Sequence, residues 1–273
     1  MADPAATLVR SHYEALGDFY RAAWGDSMHF AVFEGAEPRT DAVAATERML
    51  ADEAGFGPLS SVLDVGCGAG GPALAIAAYS GAHVTGVDLV PRHVELARRR
   101  AADEGLAART TFAVADATQL PMEDETFHHV CAIESAYHAA DKDRFYGECA
   151  RVLRPGGMFL GTDWLRRGAK GDERHLEPVR EHFAIPELLT LDELRDHLRH
   201  AGLVPEAVED LRARGEIERN WEQLGAGAWP RLLRASRDSD PTSSRTFAAG
   251  ARALAAAADA GAFVLGHFRA HKP

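Results

Sequence analysis

The chain reads as an α/β fold, a doubly wound and mostly parallel sheet of seven strands, and three observations carry that reading. Short apolar runs near 61–65, 83–88, 110–115, 128–134 and 157–163 alternate with helical patterns. A strand followed by a helix must cross over to reach its neighbour, so these strands align in parallel. The first run, Val62-Leu-Asp-Val65, enters a turn holding Gly66, Gly68, Gly70 and Gly71, where the backbone bends sharply before a helix. An apolar share of 46% over 273 residues is ample for the core that such a sheet needs.

The elements follow in order. Residues 1–55 precede the sheet and are dense in aromatics, with Tyr13, Phe19, Tyr20, Trp24, His29, Phe30 and Phe33. They read as an N-terminal helical lid on a core spanning 56–211. Within the core, Pro91 suits the first turn of the second helix, where its missing N–H costs nothing, and Asp141 can cap the helix that ends at Leu153. Thr190-Leu-Asp-Glu193 is a capping box that opens an amphipathic helix, which Gly202 closes. A strand from Leu203 to about Asp210 and another near Phe263–Phe268 complete the seven. Residues 212–260 read as a polar helical insertion before that last strand, which occupies 261–273. The insertion carries Trp221, Trp229 and a flexible polar stretch at 236–244.

The glycine turn names a ligand. Gly66, Gly68 and Gly70 let the backbone approach a cofactor with no Cβ in the way, and the helix they open points free N–H groups at it. Asp88, at the end of the second strand, offers a carboxylate to a pair of ribose hydroxyls. The spacing Gly66-x-Gly68-x-x-Gly71 also satisfies a dinucleotide fingerprint, so by itself it leaves a nicotinamide cofactor open.

Three further features resemble the class I methyltransferases. Asp64 stands two residues before the first glycine, where that family has an acid near the methionine amino end of its cofactor. Asp116 and Ala117 end the third strand and resemble the pair that meets the adenine ring. Arg151-Val-Leu-Arg-Pro-Gly-Gly157 closes a helix and enters a strand, a turn this family uses repeatedly. The resemblance implies a Rossmann-like core that binds S-adenosyl-L-methionine and releases S-adenosyl-L-homocysteine. The residues it implies at the cofactor are Asp64, Gly66, Cys67, Gly68, Asp88, Leu89, Asp116, Ala117 and Glu134.

Ligands of a doubly wound sheet bind outside the carboxyl ends of the strands, so Glu134-Ser-Ala-Tyr-His138 and Thr162-Asp163-Trp164 are expected to face the transferred methyl. Methyl transfer from a sulfonium is an in-line displacement in which holding and aligning the acceptor does most of the work, and a base is needed only if the acceptor carries a proton. His138, whose side chain ordinarily titrates near neutrality, is the expected base, with Asp163 orienting it or binding an acceptor hydroxyl. Each also has a plainer reading, as a pocket wall and a strand-end cap.

Tyr13, Asp18-Phe-Tyr20 and Trp24-Gly-Asp-Ser-Met-His-Phe30 resemble the entry segment of sterol, tocopherol, sarcosine and sugar or polyketide methyltransferases. The resemblance implies a small or medium-sized, partly apolar acceptor enclosed by Tyr13, Tyr20, Trp24 and His29, with Tyr137 beside them. Two departures stand out: Tyr137-His138 replaces a pair of histidines, and His128 follows Phe127 where an acid is usual. His128 and His129 are adjacent on a strand and point to opposite faces, so they cannot easily share a metal, and no metal site is expected.

The acceptor atom expected is an oxygen of a secondary metabolite such as a glycosylated or polyketide-like compound. Carbon or nitrogen acceptors remain alternatives, as does a cyclase that keeps the cofactor without transferring its methyl. A charge of -11, from 30 Lys plus Arg against 41 Asp plus Glu, argues against a nucleic-acid partner. Three cysteines, Cys67, Cys131 and Cys149, in or beside core elements and an N-terminus without an apolar leader point to the cytoplasm, with no membrane partner. The oligomeric state stays open, a homodimer included.

Overall fold

The computed structural model describes residues 4–168, 172–222 and 241–273. Its strands are β1 (Ser61–Val65), β2 (His83–Asp88), β3 (Thr110–Val114), β4 (Phe127–Ile133), β5 (Leu153–Arg166), β6 (Val204–Asp210) and β7 (Phe263–His271). They form one sheet in the order β3-β2-β1-β4-β5-β7-β6. Pairing is parallel from β3 to β5, and β7 runs antiparallel to both β5 and β6.

The helices are α1 (Pro4–Trp24), α2 (Arg39–Glu53), α3 (Gly71–Ser80), α4 (Pro91–Asp103), α5 (Lys142–Val152), α6 (Glu173–His182), α7 (Leu191–His200), the single turn α8 (Arg219–Glu222) and α9 (Pro241–Asp259). Alternate strand residues separate the two faces, as the pleat requires. Val62, Val84, Cys131 and Leu160 pack with Leu50, Leu74 and Val94 of α2, α3 and α4. Leu63, Val130 and Phe159 pack with Phe145, Tyr146, Leu194 and Leu198 of α5 and α7. A third cluster joins α1, α6 and α9 to Trp164 and Phe263 at the end of β5 and the start of β7.

The caps act as their residues dictate. Asp141 accepts from the Arg144 amide, and Thr190 and Glu193 close a reciprocal capping box. Two strands outrun their sequence signal. β5 extends to Arg166 and β7 to His271 because each finds a partner in the other from Met158↔His271 to Arg166↔Phe263, while the start of β5 at Leu153 pairs with Phe127 of β4. The end of β7 alternates buried Phe268 and Ala270 with half-buried Arg269 and His271. Trp221 of the insertion is buried against Phe30 and Phe263, whereas Trp229 and residues 236–240 lie outside the described residues.

Candidate active site

The carboxyl ends of β1, β2, β3 and β4 open on a cleft of about 1070 Å³. It lies where strand order reverses between β1 and β4, the place that doubly wound topology leaves for a ligand. Gly66, Cys67, Gly68, Asp88, Leu89, Asp116, Ala117, Glu134, His138, Tyr13 and His29 all line it.

The turn after β1 needs its glycines for separate reasons. Gly66 and Gly68 have φ of 81° and 52°, the left-handed region that side chains resist. A Cβ on Gly66 would lie 2.4 Å from Cβ of Ser135, while one on Gly68 would meet only the Met28 methyl, at 3.0 Å across the cleft. The Gly68 N–H donates to Oδ2 of Asp88 at 2.9 Å, and Oδ1 accepts from the Val90 amide at 2.8 Å and faces His93 Nδ1 at 3.2 Å. These contacts fix the carboxylate at the cleft wall with a lone pair of Oδ2 to spare for a diol. Asp116 commits Oδ1 to the Thr118 amide and hydroxyl, which leaves Oδ2 able to accept from a ligand N–H.

The far end of the cleft is acidic. Asp26, Asp88 and Glu134 line it, and Glu47 and Asp64 are buried behind. Burial, with Asp88 adding its charge, lifts the Asp64 carboxyl to about 7. Its Oδ2 has no hydrogen-bond partner among the described residues. Asp64 is therefore set behind the cleft wall, not on it. An acidic well suits a ligand carrying an ammonium and a sulfonium and repels a pyrophosphate. The ground a pyrophosphate would take at the N-terminus of α3 is also held. A Cβ on Gly71 would lie 2.4 Å from Oγ of Ser27 and 2.5 Å from the Asp26 carbonyl. The third glycine of the dinucleotide pattern thus admits protein backbone, and the residues fit S-adenosylmethionine.

At the other wall, Oη of Tyr13 and Nε2 of His138 lie 2.8 Å apart, and Nδ1 of His138 faces the Ala184 carbonyl at 3.4 Å. A carbonyl can only accept, so Nδ1 carries the proton and Nε2 receives the Tyr13 hydroxyl. Burial, followed by the nearby His12, lowers His138 to about 3. This corrects the expectation of a histidine poised near neutrality: His138 is a neutral imidazole throughout the physiological range. Asp163 makes no bond to the imidazole. The Asp163 carboxylate is buried and accepts the Tyr137 amide at 3.2 Å, away from the cleft lining.

The aromatic candidates divide. Tyr13 and His29 reach the cleft, the latter bonded to Glu47, which raises its pKa although burial opposes this. Tyr20, Trp24 and Tyr137 do not line it. Tyr20 and Trp24 pack on Phe247 of α9, and Tyr137 stacks on Trp164 with centroids 4.8 Å apart. Their apolar area is spent in the core beside the site. Glu134 lines the cleft, yet its carboxylate accepts both the Phe30 amide and the Trp164 indole N–H at 2.6 Å. These bonds hold a non-glycine residue at φ 51°, a conformation costing about 1 to 3 kcal/mol.

Several residues of the site had no signal of their own in the sequence. His93, five positions beyond Asp88, braces that carboxylate. Arg10 forks Nε and Nη2 onto the Leu89 carbonyl, at 3.2 and 3.1 Å, and so lays α1 across the cofactor loop. Lys142 holds the turn that carries His138. Met28 and Asp26 line the cleft from inside the entry segment, where the aromatics are the stronger sequence signal. No group of three or more potential metal ligands occurs among the described residues.

Comparison with known proteins agrees with this geometry. Residues 62–157 match a family described as a methyltransferase domain. The chain is 36% identical over 216 residues to the 27-O-demethylrifamycin SV methyltransferase of Amycolatopsis mediterranei, covering 77% of this chain and 79% of that one. It is 42% identical over 160 residues to a sterol 24-C-methyltransferase of Gibberella zeae, covering 59% of this chain and 42% of that protein, so it spans less than half that relative's length. Its fold superposes on the crystal structure of the cyclase SpnF with a TM-score of 0.85, at 24% identity and over 100% of this chain and 98% of that one. Sheet order, glycine turn, acidic well and these likenesses converge: the chain belongs to the class I S-adenosylmethionine-dependent methyltransferases.

Proposed function

We propose that this protein methylates a hydroxyl of a small, largely apolar organic acceptor. One observation carries the reading: a neutral imidazole nitrogen on the cleft wall receives an O–H, that of Tyr13, at 2.8 Å. An acceptor hydroxyl that displaces Tyr13 makes the same bond. When bound, S-adenosylmethionine supplies the electrophilic methyl. On this reading Asp88 and Asp116 hold its ribose and adenine, and the acidic end its ammonium.

His138 then has two tasks. Through Nε2 it holds the acceptor O–H so that an oxygen lone pair is directed along the cleft, and it takes the proton as the new C–O bond forms. Its low proton affinity is no obstacle. An oxygen that has gained a methyl and kept its proton is a far stronger acid than any imidazolium, so the transfer is downhill late in the step. Burial also keeps Nε2 free of a competing proton at neutral pH. Apolar side chains that line the cleft, among them Val9, Ile133, Ala139 and Phe145, supply surface for the rest of the acceptor.

The test uses methyl-tritiated S-adenosylmethionine with 27-O-demethylrifamycin SV, a sterol and a panel of hydroxylated polyketides and amines. Label in a hydroxyl-bearing acceptor, reduced by about 10² to 10⁴ in His138→Ala with cofactor affinity unchanged, is the expected result. Label only in carbon or nitrogen products overturns the oxygen assignment. A product of unchanged mass points to cyclisation over retained cofactor, the reading that the likeness to SpnF supports.

A further inference from the structure

Lys142 is the first residue of α5 and is only 4% exposed. Its ammonium donates to three backbone carbonyls of one turn: Ala136 at 2.9 Å, Tyr137 at 3.0 Å and Ala139 at 2.8 Å. That count uses its three donors, and the charges of Asp163 and Glu187 offset part of the burial without a direct bond. A buried cation whose bonds all go to uncharged acceptors is costly, and burial accordingly lowers its pKa to about 8. The turn gripped in this way is the 3-10 segment Ala136–His138, which carries the histidine of the acceptor wall. The same turn is held from the sheet side by Asp163, which accepts the Tyr137 amide.

Three carbonyls of the four-residue stretch 136–139 converge on the one ammonium. Here a lysine side chain gathers them from below while a carboxylate takes the intervening N–H. The His138 ring stands on the segment between these grips, and its bonds to Tyr13 and to the Ala184 carbonyl come from elements far off in sequence. Where Nε2 lies relative to the cleft is therefore set by where the backbone of 136–139 is clamped.

We infer that Lys142, with Asp163 opposite, is a positioning residue that sets the place of His138 Nε2 in the cleft by clamping the backbone of the turn 136–139. The inference rests on the proposed role of His138 only for its consequence, since the clamp itself is read without turnover.

The experiment is amide hydrogen exchange and ¹⁵N-histidine NMR of the full chain saturated with S-adenosylhomocysteine, in wild type, Lys142→Met, Lys142→Gln and Lys142→Arg. The His138 ring signals are assigned by their loss in His138→Gln. In Lys142→Met the amides of His138 and Ala139 are expected to lose protection on the order of 100-fold while those of β4 hold, and the Nε2 signal to move from its Tyr13-bonded position. Lys142→Arg, which keeps the cation and its donors, should restore both. If Lys142→Met does not fold, Lys142→Gln decides by the same two readouts. An Nε2 signal that stays in place in Lys142→Met or Lys142→Gln overturns the inference, whatever happens to exchange. Failure of the hydroxyl-methylation reading would show separately, as full acceptor labelling in His138→Ala.

Discussion

The two ends of the cleft are built on different principles. At the cofactor end, Gly66–Gly68 and Asp88 come from adjacent strands and their turns, and the decisive bonds are made by backbone amides, Gly68 and Val90 to Asp88. At the acceptor end the Tyr13 hydroxyl reaches His138 across 125 positions, and the segment behind the cleft is tied by the Phe30 amide to Glu134 across 104 and by the Ala31 amide to Asn220 across 189. The difference teaches where specificity resides. On the proposed reading, a turn of glycines and one carboxylate recognises a part common to every ligand of the family, whereas the acceptor wall is assembled from loops and added helices that can vary without disturbing the sheet.

The sharpest way to break this comparison is Gly68→Val, which places a branched side chain at φ 52° against Met28. Calorimetry should find no measurable binding of S-adenosylhomocysteine by a folded protein; retained affinity would mean that the turn does not cradle the cofactor. At the acceptor end, His138→Ala acts on turnover instead, by the factor given above. The wild-type rate should be flat across the neutral range because His138 has already lost its proton there. A rate climbing through a single ionisation near neutrality would contradict the buried, neutral imidazole.

Asp88→Ala should weaken S-adenosylhomocysteine by about 1.5 to 3 kcal/mol, the range for hydrogen bonds to a charged group. Unchanged affinity would place the ribose elsewhere. Asp64→Asn separates charge from shape. The folded carboxyl is raised to about 7 from an ordinary 3.8, so its contribution favours folding below 3.8 and is lost as pH rises through 7. The amide should therefore stabilise the protein free of cofactor on the alkaline side, measured by urea unfolding, and leave it nearly unchanged in acid. The smallest effect belongs to Arg10→Ala. Without its fork on Leu89, the amides of α1 should exchange faster in the free protein and recover protection only in part when S-adenosylhomocysteine binds. Equal exchange with and without the arginine would make α1 an ordinary part of the core.

The contrast also explains what the chain alone made legible. β1, β2 and the glycine turn were readable residue by residue because their logic is local: apolar runs of five or six, a forced left-handed backbone, an acid at a strand end. Helix caps at Asp141 and Thr190 were legible for the same reason, each being a bond within three residues. The aromatics of the first helix were visible as a cluster, but not which faced the cleft. Tyr13 and Tyr20 lie two turns apart on α1, and only the placement of Phe247 and His93 turns one into core and leaves the other on the wall.

By itself, then, the sequence determined the sheet, its order of elements and the cofactor turn, since these follow from periodicity, crossover and the conformations only glycine adopts cheaply. Only the tertiary structure decided that Asp163 grips a backbone amide, that His138 is neutral, that Glu134 is tied to Phe30 and Trp164, and that Lys142 gathers three carbonyls. The physical reason is that the proton affinity and partners of a polar group are properties of its surroundings. Those surroundings arise when α1, the 136–139 turn and β5 converge on one buried point, which no local stretch of the chain encodes.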